Sequence, residues 1–330
     1  MKIITVYGEL PRATEMPGSL TLSSALLSAI AYTIDRNQLN LLIEEFLQGM
    51  PPFVVSNMMF VLSDGDTEKR IYPAPMHDFM RLRDIRFDTI EKYRYYKNLK
   101  KIRYISENYL VSIIRGNILN SSNERESLMS EYKDLNTRIS SASTMHVAIS
   151  RFFGRAAEKM LFSNTMYQLH KLKIFFFVAY RDKFEKEVLR GIRILADIGI
   201  GGKRTWGLGK IRNLKIEFDY PKELFEGASG DENYVYLLSD VKVSGDMVLE
   251  ESYYDVRYRR ALVSFVPRAF LKKGFYYLRA GSVIKISDGG LKLIRPRLAI
   301  IGDAIYSGKF YGRQIIEIGY GLGILMRCPQ

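Results

Sequence analysis

Two stretches of this chain carry apolar residues at helical spacing, and several others alternate or run together in the manner of strands. Between Thr21 and Thr33, Leu22, Ala25, Leu26, Ala29 and Ile30 fall on one helical face, with Ser19 or Thr21 placed to cap it. A second, short helix is predicted over Gln38–Leu47, stopped by Gly49, Pro51 and Pro52. Lys2–Tyr7 reads as a strand and Gly8–Gly18 as a loop. Phe53–Leu62 and Lys69–Pro73 read as two strands joined by a turn at Asp64-Gly65-Asp66. Thr144–Ser150 is strand-like. Lys171–Tyr180 (KLKIFFFVAY) has the length and apolarity of a buried strand. Asp182 then stands where it would cap a helix whose apolar stripe is Phe184, Val188, Leu189, Ile192, Leu195 and Ala196. A glycine-rich loop follows, and Gly209–Phe218 resumes a strand pattern through Ile211, Leu214, Ile216 and Phe218. From Tyr234 onward the pattern is mostly strands, with a turn at Asp288-Gly289-Gly290.

Strand-then-helix openings at Lys2 and again at Lys171, with strands beyond, predict an α+β fold of two ferredoxin-like (RRM-like) domains. The first would span 1–218 and the second, mostly β, 219–330. The stretch from His77 to Lys133 differs from both. Its many arginines and lysines, from Arg81 to Arg103, lie among Phe87, Tyr93, Tyr95, Tyr96 and Tyr104. It reads as an insertion, about 77–135, projecting from the fold. Basic and aromatic residues together suit a nucleic-acid backbone and its base faces, although any one of these residues alone fits a solvated helix.

Charge sharpens the choice of partner. Lys and Arg number 49 against 36 Asp and Glu in 330 residues, a formal charge of +13, which favours a polyanion. The 47% of hydrophobic residues is enough for a sizeable core. A single cysteine, Cys328, rules out an internal disulfide framework and a cysteine-based zinc site, so the cytoplasm is the expected compartment. No apolar run approaches the roughly 18 residues of a spanning helix, so no membrane partner is expected. His77, His146 and His170 show neither metal-ligand spacing nor a nucleophile triad. Neither a cofactor nor a metal is expected.

The most informative segment is DIGIGGKRTWGLGK, Asp197–Lys210. Gly199, Gly201, Gly202, Gly207 and Gly209 surround Lys203, Arg204 and Trp206. Glycine lets backbone N–H groups approach phosphates, the cations add charge, and the indole can stack on a base. The loop follows a helix and precedes a strand, the reverse of a nucleotide-binding phosphate loop. A plain helix-to-strand connection needs one glycine, not five.

This loop, placed after a helix, resembles the glycine-rich loop of the RAMP superfamily of CRISPR proteins. TLSSALLSAI is similar to the first helix of that superfamily. PPFVVSNMMF with IYPAPM, KKIRYISENYLVSIIRGN, HVAISRFFGRAAEKMLFSN and YGRQIIEIGYGLGILM resemble, in order, segments of the fourth subunit of Csm-type (type III) effector complexes, a group-five Cas protein. Ser150 stands where the family pattern has Asp. The resemblance implies a non-catalytic subunit of an RNA-guided interference complex that holds the repeat-derived 5′ handle of the CRISPR RNA. It also implies contact with a large palm-domain subunit and backbone RAMP subunits, and indirectly with target RNA. Carried over by position, Gly199, Gly201, Gly202, Lys203, Arg204 and Gly207 would contact the handle backbone, with Arg151 and Arg155 near it. Trp206 and Gly209 complete the candidate set. The 77–135 insertion would contain a thumb-like hairpin. Trp206 and Tyr7 are stacking candidates, Gly8–Gly18 a second wall. Tyr253, Tyr254, Phe275, Tyr276 and Tyr277 are candidates for a protein interface. The alternative within the superfamily is a precursor-cleaving endoribonuclease, whose base commonly lies near the first helix; here no histidine precedes His77.

Overall fold

The computed structural model describes residues 1–64, 67–76, 89–90, 93–94, 97, 101–116, 122–149, 156–226, 234–263, 270–287, 292–310 and 313–326. In chain order, β1 (Lys2–Glu9) and β2 (Arg12–Ala13) precede helices α1 (Ser19–Ala31) and α2 (Arg36–Leu47). Strands β3 (Phe53–Val55), β4 (Met59–Asp64), β5 (Thr67–Pro73) and β6 (Tyr104–Ser106) come next. Helices α3 (Glu107–Ile114) and α4 (Ser122–Arg138) lead to the long strands β7 (Ile139–Ile149) and β8 (Ala156–Leu169). β9 (Lys173–Tyr180), α5 (Glu185–Ile198) and β10 (Arg212–Glu217) close this half.

Seven of these strands make one antiparallel sheet in the order β10-β1-β9-β4-β5-β6, with β3 also on β9. Because β3 and β4 share a neighbour, they act as one strand broken at residues 56–58. The fourth strand of the unit then lies beside the first, and the third between first and second, with α1 and α5 as the crossovers. That is the strand order of a ferredoxin-like unit. β9 sits at its centre, and seven of its eight residues are buried, as expected for a strand covered on both faces. Phe175 and Phe177 pack edge-on to one another, Tyr72 packs edge-on to Phe175, and Phe177 packs edge-on to Phe225. Against the sheet α5 buries Val188, Gly191, Ile192, Leu195 and Ala196.

The caps differ from the sequence expectation. α1 starts after Gly18 with no side-chain cap, because the Ser19 hydroxyl is committed to the Asp240 carbonyl. Asp182 does not cap α5; it belongs to a short 3-10 turn, Asp182–Phe184, that precedes the helix. Asp35, by contrast, caps α2 by accepting from the backbone of Asn37 and Gln38.

Beyond residue 233 the main element is a six-stranded antiparallel sheet, ordered Met247–Tyr253, Val283–Ile286, Tyr234–Leu237, Gly321–Met326, Leu298–Ile301, Lys292–Leu293. A small sheet of Val241–Lys242, Phe275–Leu278 and Val256–Arg259 lies apart from it. The only helix described after residue 218 is Lys222–Phe225. The second ferredoxin-like unit expected from the sequence is therefore not found among the described residues, since its helical crossovers are missing. The physical reason lies in the core. Tyr236, Leu238, Val283, Leu298, Leu322 and Ile324 pack in one cluster with the first sheet, so this face is covered by the other half of the chain rather than by helices of its own.

The insertion also needs correction. Residues 77–88 lie outside the described set. Downstream, β6 pairs with β5 in the main sheet, and Ile102, Ile105, Leu110, Val111, Ile113, Ile114, Leu128 and Leu135 are buried in the main core. Much of 101–135 is therefore core. Among the described residues, the β7/β8 hairpin projects, with Met145, Val147, Ile149, Leu161 and Phe162 exposed.

The two halves are joined by a half-buried polar crossing. Asn57 Oδ1 accepts from the backbone N–H groups of Ser19 (2.7 Å) and Asp240 (3.0 Å), and Asn57 Nδ2 donates to Asp240 Oδ1 (2.9 Å). The Ala280 N–H donates to the same carboxylate oxygen at 3.0 Å. Burial pushes the Asp240 carboxyl above its usual range, while these donors pull it back. Asp240→Ala would strand the Asn57 amide and the Ala280 N–H, at about 1–3 kcal/mol for each buried donor. Because the site is half-buried, each donor costs near the low end of that range, and urea denaturation should show a loss of about 2 kcal/mol for this variant. Asp240→Asn, which keeps an acceptor, should lose markedly less.

Candidate nucleic-acid interface

The glycine loop is held at its base and open at its tip. The Gly199 N–H caps α5 by donating to the Leu195 carbonyl at 2.9 Å. The Ile200 N–H donates to the Gly209 carbonyl (2.9 Å), and the Gly209 N–H donates to the Arg12 carbonyl (2.8 Å). Ile200 and Leu208 are buried. At Gly209 (φ 79°) a Cβ would stand 1.9 Å from the Ile200 carbonyl oxygen, so no side chain fits there. Between these anchors Lys203 takes a left-handed conformation (φ 54°, ψ 34°) and starts a short 3-10 turn, Arg204–Trp206, closed by Gly207. Left-handed backbone costs a lysine about 1–2 kcal/mol. The backbone N–H groups of Gly201, Gly202 and Lys203 have no hydrogen-bond partner among the described residues. Three successive free donors on such a turn are a site for an anion.

Side chains from the hairpin complete the surface. Lys203 Nζ lies 4.5 Å from the centroid of the Trp206 ring. Trp206 in turn meets His146 of β7 at 5.5 Å and 50°, and His146 stacks on Phe162 of β8 at 5.5 Å and 20°. The register pairs His146 with Phe162, which puts both on the hairpin face turned to the loop. Met145, Val147 and Leu161 occupy the other face. The rings stay open to solvent, with Trp206 56% and Phe162 49% exposed. A cation, an indole, an imidazole and a phenyl thus form a row that bases can stack on. Sequence reasoning found Lys203 and Trp206. It missed His146 and Phe162, whose pairing with a loop some sixty residues away leaves no local signal.

The N-terminal segment lies against the loop. β2 pairs with β8 through Arg12 and Gln168, and Thr14 Oγ1 would lie 3.4 Å from a Cβ at Gly201. Tyr7, however, does not join the aromatic row. Its ring packs on Phe175, and its hydroxyl accepts from Arg70 Nε (2.9 Å) and Nη2 (2.6 Å). It lines a cleft of about 670 Å³ on the sheet, with Glu68, Glu107, Lys173, Lys215 and Glu217. Charges there are matched internally: Lys173 with Glu68, Lys215 with Glu217, Arg70 with Glu107. Such a cleft does not call for a polyanion. Arg151 and Arg155 lie outside the described residues, as do Ser150 and His77. His170 shares a hydrogen bond with Ser140 (2.8 Å). No group of three His, Cys, Asp or Glu among the described residues could hold a metal, and no described helix is long and apolar enough to cross a membrane.

No family model matches the sequence, and no curated protein matches it. Solved structures do match. The Csm1–Csm4 cassette in complex with cA4 provides a chain with a TM-score of 0.59 and 14% identity over 100% of both chains. The same cassette with pppApA gives 0.58 and 14%, covering 99% of each. The Csm3–Csm4 subcomplex of the type III-A CRISPR-Cas interference complex gives 0.59 and 16%, covering 96% of this chain and 98% of that one. The chains matched are Csm4. At such identities the likeness is one of fold: this chain has a fold similar to that of those Csm4 chains over nearly its whole length.

Two glycines of the loop separate fold from function. Gly209→Ala meets the Ile200 carbonyl and should lower stability by more than about 2 kcal/mol in urea denaturation. At Gly207 a Cβ meets nothing within 4 Å, so Gly207→Ala should cost only about 1 kcal/mol, for its left-handed backbone.

Proposed function

We propose that this protein is a non-catalytic RNA-binding subunit of a type III CRISPR interference complex, and that it holds the repeat-derived 5′ handle of the CRISPR RNA on the glycine loop. The observation that carries this reading is the full-length match to Csm4 chains solved with Csm1 and with Csm3. The loop supplies the chemistry. Free N–H groups and Lys203 meet phosphate, and the Trp206–His146–Phe162 row takes unstacked bases. Arg204 adds charge beside them. In the assembled complex a Csm1-like palm-domain subunit and Csm3-like backbone subunits are the protein partners. The β7/β8 hairpin, rather than the 77–135 segment, is the thumb-like element, and its exposed Met145, Val147 and Leu161 face away from the loop toward the paired guide and target.

Binding of a guide RNA carrying the 5′ tag is compared with the same guide with that tag scrambled, in the isolated chain and in the assembled complex. Scrambling the tag should weaken binding or assembly, while scrambling the 3′ guide region should not. Equal binding of all three RNAs in both formats reduces the chain to a general RNA-binding protein. Lys203→Ala with Arg204→Ala should lower the slope of log affinity against log salt by about 0.7 for each phosphate that the variant no longer neutralises. Gly202→Val offers a cleaner variant. Gly202 is exposed, and its Cβ would touch only Thr14, at 3.6 Å, so the fold should tolerate the change while the bulk keeps RNA off the free N–H groups.

The endoribonuclease alternative has one candidate base beside the loop, His146. Its ring is held between Phe162 and Trp206, and Thr144 Oγ1 lies 3.0 Å from its Nε2. That is the setting of a stacking ring rather than of a base aimed at a ribose hydroxyl. His146→Phe should therefore retain RNA binding, and wild type should leave precursor RNA intact. Cleavage of precursor RNA by wild type that His146→Phe abolishes would establish the enzyme instead.

A further inference from the structure

We propose that the small sheet built from Val256–Arg259 and Phe275–Leu278 is a second contact for single-stranded RNA, with Tyr258 and Tyr276 as its stacking surface and Arg260 and Lys273 as its phosphate partners. The proposal rests on the RNA-binding role given to the chain above and extends it along the surface.

The sheet sorts its aromatics by face. Phe275 is buried against Leu20 and Ile305, while the next residue, Tyr276, points outward and is 62% exposed. Tyr258 lies directly opposite Tyr276 in the antiparallel register and is 59% exposed. Their ring centroids are 5.3 Å apart at 60°. A Cβ at Gly274 would stand 1.9 Å from the Tyr258 hydroxyl, so the phenol lies across bare backbone, and its ring remains open to solvent. Of the five aromatics that the sequence suggested for a protein interface, Phe275 is interior, and Tyr253 and Tyr277 are half-buried.

Charge decides what such a pair would receive. In residues 254–263 and 270–280 the only acid is Asp255. Arg257 and Arg279 share it, at 3.2 and 3.0 Å. Lys272 is spent on buried Glu317, at 3.0 Å. Arg260 donates to the Lys272 carbonyl (3.3 Å) and meets no carboxylate among the described residues, and neither does Lys273. Exposed rings beside uncompensated cations fit bases and phosphates.

Position supports the same occupant. Thr14 lies against Gly201 and Gly202, and Leu20, six residues on, packs with Phe275. Six residues reach at most about 20 Å, so the strand that carries Tyr276 packs on a residue within that distance of the loop wall.

The test uses the full-length chain, a fluorescein-labelled unstructured single-stranded RNA, and the duplex of the same sequence. Tyr258→Ala with Tyr276→Ala should weaken single-strand binding tenfold or more, at roughly tenfold for each base left unstacked, with little effect on the duplex. Replacing both tyrosines by Phe should restore it. Arg260→Ser with Lys273→Ser should lower the single-strand salt slope by about 1.4, twice 0.7. Lys203→Ala with Arg204→Ala is measured in parallel. If that loop variant is impaired and the alanine pair is not, this inference falls and the proposed function stands. If neither is impaired, both fall. If the alanine pair binds RNA normally but no longer copurifies with the palm-domain subunit, the surface belongs to a protein partner and the inference is overturned. Should the alanine pair not fold, photocrosslinking of 4-thiouridine RNA to the wild-type chain decides. Crosslinks at Tyr258 or Tyr276 uphold the proposal, and crosslinks confined to the loop overturn it.

Discussion

Asp240 and Asn57, both half-buried, meet where the start of α1, the break between β3 and β4, and the C-terminal sheet converge. A carboxylate withdrawn from water without donors is costly even when half-buried; this one has two donors to a single oxygen and holds the backbone on either side. The consequences run outward. Asn57 turns its backbone N–H to Leu238, out of the sheet, and the second strand of the ferredoxin-like unit is interrupted there. Gly18 passes so close to Asp240 that a Cβ would stand 2.3 Å from Oδ2, which fixes where α1 begins. With that end fixed, residues 10–18 have little freedom. Arg12 therefore presents its carbonyl to Gly209 and Thr14 its hydroxyl to Gly201. A half-buried polar contact thus stands at the foot of the wall of the surface loop.

The loop itself divides stiffness from exposure. Its ends are pinned by Leu195, Gly209 and Arg12, and Ile200 and Leu208 are buried beneath them. Only residues 201–207 rise from that base. A ligand that meets N–H groups already held in place loses less free energy to ordering than one that must arrange a floppy loop. The left-handed Lys203 is consistent with this arrangement, since strain at a site survives only where the surroundings enforce it.

Hydrophobic period was enough to read the ferredoxin-like half. The all-apolar KIFFFVAY announced the central strand, and the stripe on 185–198 announced its crossover helix. What failed did so for physical reasons. Charge density between Arg81 and Arg103 hid the fact that Ile102, Ile105, Leu110, Val111, Ile113 and Ile114 follow at once and are core. Of the β7/β8 hairpin only Thr144–Ser150 reads as strand-like, and neither the length of the hairpin nor the exposure of Met145, Val147 and Leu161 is legible there, because β8 lacks a strand alternation. The second ferredoxin-like unit was inferred from the strand-then-helix opening at Lys171, but β9 and α5 are the third strand and second crossover of the first unit, and the strands beyond do not reveal what covers them. At the site, glycine spacing and basic residues pointed to the loop. Tyr7 was misplaced because its strand faces the cleft bounded by Arg70, and the row completed by His146 and Phe162 exists only in three dimensions.

Two surfaces of this molecule carry many charges, and they differ in how those charges are satisfied. On the sheet cleft, Lys173, Lys215 and Arg70 each face a glutamate, so a polyanion entering would have to displace partners already in place. At the glycine loop, Lys203 faces an aromatic ring, and the neighbouring N–H groups face no acceptor among the described residues. An unmet donor in water costs nothing, but it gains a charge-assisted bond when a phosphate arrives. Backbone contacts of this kind bind any RNA equally, since every nucleotide carries the same phosphate. Discrimination must come from the bases, and the groups beside the loop able to meet them are the rings of Trp206, His146 and Phe162. Stacking is worth about 1–3 kcal/mol per base but is tolerant of sequence. Loop and row together can therefore fix the position and register of a strand. Choosing one tag over another demands contacts to base edges, and polar side chains placed for that are Thr14 on the facing wall and Thr144 beside His146.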